Sequence, residues 1–269
     1  MRKSIYIFFF ITITTLLLSC NSYNKVLKST DYDKKYDTAM EYYEKENYFK
    51  ASQLFENLSL YYRGREKSEK VALYYAMSLL GMKDHFSAGY QFELFYKQFP
   101  YSSSAENALY LAAYCKYLES PVYSLDQTLT KEAIKNFNMY LERYPSSSKV
   151  EEVNRHIDEL RGKLIRKDYE IAYSYYKTSA YLSARIALSE FLYQYPETTY
   201  REDAMFYLIL SGYEYARNSI KEKQIVRYQQ MIGDIDQFIV YFKNSDRKKE
   251  VQRLYEKGKA EIALLEKNK

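Results

Sequence analysis

Residues able to do chemistry are few in this chain. Its 269 residues include 2 histidines, 2 cysteines and no tryptophan, against 34 tyrosines. His85 and His156 stand in different segments, which argues against a shared metal site. Gly162-Lys163-Leu164 and Gly258-Lys259-Ala260 lack the second glycine and the Ser/Thr of a phosphate loop, and no Gly-x-Ser-x-Gly string occurs. The expectation is a protein that is not an enzyme and takes no cofactor or metal. Tyrosine is what remains: a large rigid ring with a hydroxyl, at low entropic cost, suits peptide capture. Tyr110, Tyr114 and Tyr117 recur at i, i+4, i+7, as do Tyr169, Tyr173 and Tyr176, and Tyr36 and Tyr43 hold the outer two places earlier in the chain. On a helix this spacing stacks the rings along one face, a candidate peptide-binding stripe. The competing reading is that the rings pack between neighbouring helices.

One more reactive group sits near the start. After Met1-Arg2-Lys3 comes an apolar run from Ile5 to Leu18, a secretory signal too short for an ordinary membrane span. The run ends Leu17-Leu18-Ser19-Cys20, which resembles the bacterial lipoprotein processing box. The resemblance implies cleavage after residue 19, diacylglyceryl on the Cys20 sulfur and an acyl chain on its new amine. Several acyl chains, at about 0.8 kcal/mol per buried CH₂, make a firm membrane anchor. Asn21 rather than aspartate, by resemblance to other Gram-negative lipoproteins, implies sorting to the outer membrane. No acidic cluster follows in 20–25, which favours the periplasmic face. An uncleaved anchor or a simple secreted protein is the alternative. With Cys20 modified, Cys115 is the last thiol; within Ala112-Ala113-Tyr114-Cys115 it reads as buried packing.

The elements that must position the tyrosines are announced by a repeated stop. Phe99-Pro100, Tyr144-Pro145 and Tyr195-Pro196 are each followed by Ser/Thr-x-x-Glu, at Ser103/Glu106, Ser148/Glu151 and Thr199/Glu202. Proline ends the incoming helix, and Ser/Thr-x-x-Glu predicts a reciprocal capping box at the start of the next. Between stops, apolar residues recur at helical spacing in pairs of segments. The second segments carry small-then-bulky pairs at Ala51/Phe55, Ala88/Phe92, Ala133/Phe137 and Ala184/Leu188, and the first segments a small residue at Ala39, Ala76, Ala113, Ala172 and Gly212. These features resemble tetratricopeptide repeats. The fold class expected is all-α, a tetratricopeptide-repeat superhelix of about five helix pairs plus a C-terminal capping helix. An insertion at 120–127 and a long helix from 148 to 177 stretch the period. In such an array the first helix of each pair lines the concave surface, where the tyrosine stripes fall.

Charge adds little. The whole chain has 40 Lys and Arg against 35 Asp and Glu; loss of Arg2 and Lys3 with the leader leaves 38 against 35. Both signs are spread along the chain, a solvated surface that gives no reason to expect nucleic acid.

The lipobox at Cys20, the repeat spacing, the Ser120–Gln127 insertion and the long helix before Tyr181 together resemble the BamD family of outer-membrane β-barrel assembly lipoproteins, in its Bacteroidetes-like branch. The resemblance implies binding of unfolded outer-membrane protein segments by the N-terminal repeats and docking of the C-terminal repeats on periplasmic domains of the barrel-forming insertase. It divides the chain into a leader (1–19), a lipidated tether (20–33), substrate-binding repeats (34–117) and insertase-docking repeats with the capping helix (118–269, centred on 185–242). A scaffold for cell-envelope or cell-wall enzymes, and a glycan-capturing nutrient-uptake lipoprotein, are the competing functions. Lys243, where a proline is expected, leaves the end of the fifth repeat open.

Overall fold

A computed structural model describes residues 23–267, so the leader and Cys20 lie outside it. Among the described residues the chain is helical, with no strand. It divides into two compact units, Met1–Pro121 with Asp126–Leu160 and Val122–Leu125 with Arg161–Lys269.

In the first unit α1 (Tyr32–Glu44) pairs with α2 (Tyr48–Tyr62), α3 (Ser68–Gly81) with α4 (His85–Gln98), and α5 (Ala105–Glu119) with α6 (Thr128–Arg143). The next helix, α7 (Val150–Lys177), begins in this unit and ends in the second. The second unit pairs the end of α7 with α8 (Tyr181–Gln194) and α9 (Arg201–Arg217) with α10 (Lys221–Tyr241); α11 (Lys248–Lys267) packs on α10. These are the five pairs and closing helix of a tetratricopeptide fold. Val251 and Leu254 of α11 join Met231, Ile235 and Phe238 of α10 in one buried cluster, which covers the end of the stack as a capping helix does.

The small-and-bulky positions carry the packing. Ala51, Phe55, Ala88, Phe92, Ala133, Phe137, Ala184 and Leu188 are all 0% exposed. A small residue lets one helix backbone approach its partner, and the bulky residue four positions on fills the space beside it. Gly212 shows how tight the approach is: a Cβ there would stand 2.4 Å from Arg185 Nη1 and 3.2 Å from Met231 Cβ.

Four of the five pairs end on the same corner, the first pair ending instead at Arg63 with φ −52° and ψ 118°. Phe99, Tyr144, Tyr195 and Phe242 have φ between −120° and −128° and ψ between 57° and 67°. The ring four residues earlier lies 5.1–5.5 Å from each, centroid to centroid. Phe242 keeps this geometry although Lys243 follows it, so the aromatic pair and the turn bond from Ser245 N to Phe242 O suffice without proline.

The capping boxes do not form. Ser104 and Tyr200, not Ser103 and Thr199, precede α5 and α9, and neither side chain caps its helix. A further turn after proline delays the helix start, and the hydroxyls of Ser102, Ser147, Thr198 and Ser245 accept the backbone N–H two residues on instead. The glutamates Glu106 and Glu202 face the next corner, where Ser147 and Ser245 donate to them. In place of a local cap, each glutamate bonds the corner that ends its own pair.

Of the expected tether, the part from residue 23 is packed. Residues 23–27 are helical, Tyr23 is buried, and its hydroxyl donates to Gln53 Oε1 at 2.7 Å.

Candidate peptide-binding face

The tyrosine stripes form as the spacing predicts. On α5, Tyr110 and Tyr114 stack at 5.7 Å and 12°, and Tyr114 and Tyr117 at 5.7 Å and 19°. On α7, Tyr169 and Tyr173 stack at 5.9 Å and 8°, and Tyr173 and Tyr176 at 6.1 Å and 17°.

Each stripe meets the next first helix of its own unit. Glu152, His156 and Glu159 of α7 repeat the i, i+4, i+7 spacing and face the Tyr110, Tyr114 and Tyr117 stripe. The Tyr110 hydroxyl donates to Glu152 at 2.9 Å and the Tyr117 hydroxyl to Glu159 at 2.5 Å, while the His156 ring lies 5.5 Å from Tyr114 and 4.3 Å from Tyr117. Both hydroxyls are hard to ionise: burial and then Glu152 raise the Tyr110 pKa, and Glu159 and then burial push Tyr117 up to about 12. In the second unit Tyr207 of α9 packs on Tyr173 at 4.3 Å and on Tyr176 at 5.0 Å.

The residue preceding the next first helix covers the first ring of a stripe. Lys67 stands 4.9 Å above Tyr36, Lys149 stands 4.3 Å above Tyr110, and Tyr200 stacks 4.7 Å from Tyr169. Tyr110 and Tyr169 are accordingly 5% and 6% exposed and belong to the core. Tyr114, Tyr117, Tyr173 and Tyr176 stay half-buried, as do Tyr36, which meets Phe55 and Tyr62 edge-on, and Tyr43, which meets Tyr48 and Tyr74. The arrangement can present partly open rings to an apolar ligand. No group of three or more His, Cys, Asp or Glu among the described residues could hold a metal ion.

The sequence shows His156 as an isolated histidine; the spacing it shares with Glu152 and Glu159, matched to that of the tyrosines, is the signal of this contact. His156 is the least satisfied of them: both ring nitrogens are buried without a hydrogen-bond partner, and Nε2 lies 3.7 Å from Glu152 Oε1.

A model of the YfiO family, described as outer membrane lipoprotein, matches residues 29–227 and again 167–267. The chain belongs to the YfiO family of outer membrane lipoproteins. The expected lipidation site, Cys20, lies outside the described residues. Among solved structures, the TPR2AB-domain:pHSP90-complex of yeast Sti1 is similar, with 11% identity and a TM-score of 0.39 over 85% of this chain and 98% of that one. No curated protein matches.

Proposed function

We propose that this YfiO-family lipoprotein is a non-enzymatic component of outer-membrane β-barrel assembly, anchored through acylated Cys20 on the periplasmic face. Its first repeats, over 34–117, bind unfolded outer-membrane protein segments, and its C-terminal repeats, around 185–242, dock on the barrel-forming insertase. The observation that carries the reading is the stack of half-buried Tyr114 and Tyr117 on α5, within 34–117, in a chain of this family. No strand edge is present among the described residues, so an extended client cannot be held by adding a strand. Side chains must supply the grip, and tyrosine gives apolar area with a hydroxyl that finds a backbone group.

The test is purification of the chain from solubilised membranes under mild conditions. Co-isolation of a barrel insertase supports the proposal; co-isolation of cell-wall enzymes without it supports an envelope scaffold instead.

A further inference from the structure

The chain enters the first unit at one particular edge. Tyr23 is 8% exposed and fixed three ways: its hydroxyl bonds Gln53 Oε1 at 2.7 Å, its ring meets Tyr42 edge-on at 5.7 Å, and Lys50 Nζ lies 5.3 Å above it. Tyr42 is near the end of α1 and Lys50 near the start of α2, so Tyr23 sits at the α1–α2 turn. The α3–α4 turn is its neighbour: Ser52 donates to Met82 Sδ at 3.4 Å, and one cleft is lined by Lys45–Phe49 together with Gly81 and Met82.

That edge exposes large apolar groups. Phe49 is 58% exposed, Met82 38% and Phe86 73%. The nearby lysines, Lys45, Lys50 and Lys83, are matched in number by Glu44, Glu46 and Asp84. Charge therefore neither drives this edge toward an anionic surface nor repels it; apolar contact has to do so.

The geometry points to the α1–α2 and α3–α4 turn edge as the face that lies against the bilayer, with Phe49 and Phe86 inserted at the lipid interface. The inference rests on the proposed acylation of Cys20. Two residues, Asn21 and Ser22, separate Cys20 from Tyr23, and the three steps between Cα atoms span at most about 11 Å when fully extended. An acylated Cys20 thus holds Tyr23 within the thickness of the headgroup layer, which leaves no room for a long leash. Aromatic rings at that depth gain from burial while their edges stay near water.

The absence of tryptophan makes the test direct. The full acylated protein carrying Phe49→Trp is placed in phosphatidylethanolamine–phosphatidylglycerol vesicles containing a phosphatidylcholine brominated on its acyl chains. Phe86→Trp serves as a second probe in case the first disturbs folding. The control is Tyr101→Trp: Tyr101 is 93% exposed and follows α4, about 20 Å along that helix from Phe86. The expected result is a blue-shifted, bromine-quenched emission at position 49 or 86 and unquenched emission at 101, at low and high salt alike. Unquenched emission at 49 and 86, or equal quenching at 101, overturns the inference while an intact mass showing acylated Cys20 leaves the anchor standing. An unacylated mass removes the anchor and the inference together.

Discussion

The Ser147 hydroxyl donates to Glu106 Oε1 at 2.5 Å, joining the corner after one helix pair to the first helix of that same pair. Tyr140, 0% exposed, donates to the same oxygen at 2.9 Å. The bond recurs as Ser102 to Glu69 at 2.6 Å and Ser245 to Glu202 at 2.5 Å, so it belongs to the repeat. A hydrogen bond to a charged group contributes about 1.5–3 kcal/mol. Ser147→Ala should lower stability by about 1–2 kcal/mol. Glu106→Ala should cost more, because it removes the shared acceptor of both hydroxyls and leaves Tyr140 and Ser147 only each other. Denaturant unfolding of the two variants measures both, and equal losses would contradict the shared acceptor.

The same contact predicts an acid dependence. The Ser147 and then the Tyr140 hydroxyl hold the Glu106 carboxyl below its ordinary range, while the unfolded chain titrates near the usual value of about 4.3. A lowered folded pKa means the stabilisation is fully present above the unfolded pKa and is lost as pH falls through the folded one. Relative to Glu106→Gln, the parent protein should lose stability as pH falls below about 5, with a parallel course above it. Unfolding midpoints at several pH values read the difference directly.

Three turns inside pairs put a non-glycine residue in the left-handed region: Glu46 at φ 57°, Lys83 at 61° and Ser179 at 60°. The bonds Asn47 N to Tyr42 O, Asp84 N to Leu79 O and Ala180 N to Tyr175 O close each helix end in the manner of a Schellman turn. A side chain in that region costs about 1–2 kcal/mol, partly offset by the greater freedom of glycine when unfolded. Lys83→Gly should therefore stabilise the protein by up to about 1 kcal/mol, seen as a raised thermal midpoint.

Burial pushes the Cys115 thiol up to about 12, and the residue is 0% exposed. The native protein should resist maleimide at neutral pH. In denaturant, one thiol per chain should titrate if Cys20 carries its thioether, and two if it does not. Fast labelling of the folded protein would contradict the packing of α4 on α5.

Much of the architecture was legible because repeats write their packing locally. Ala88 and Phe92, or Ala133 and Phe137, lie one helical turn apart, and the contact each makes follows from that spacing alone. Register between helices is not local. Tyr110 and Tyr169 share the spacing of the surface candidates, yet both are core, because the residues that cover them, Lys149 with Glu152 and Tyr200, come a whole repeat later. Glu106 misled for the same reason: its partner is Ser147 rather than a residue three positions away. The left-handed turns were hidden since Glu46, Lys83 and Ser179 give no glycine signal. Tyr23 looked like tether because nothing nearby in sequence reveals Gln53 beneath it.

Central to the account is that open tyrosine rings on the first helices grip unfolded clients. The direct measurement is the affinity of the full chain for a labelled C-terminal segment of an outer-membrane β-barrel protein, read by fluorescence anisotropy, before and after Tyr114→Ala with Tyr117→Ala. The account predicts affinity at least about tenfold weaker, a loss of about 1.4 kcal/mol, with helical content by circular dichroism unchanged. Affinity that survives the double substitution, in a protein still folded, would contradict it.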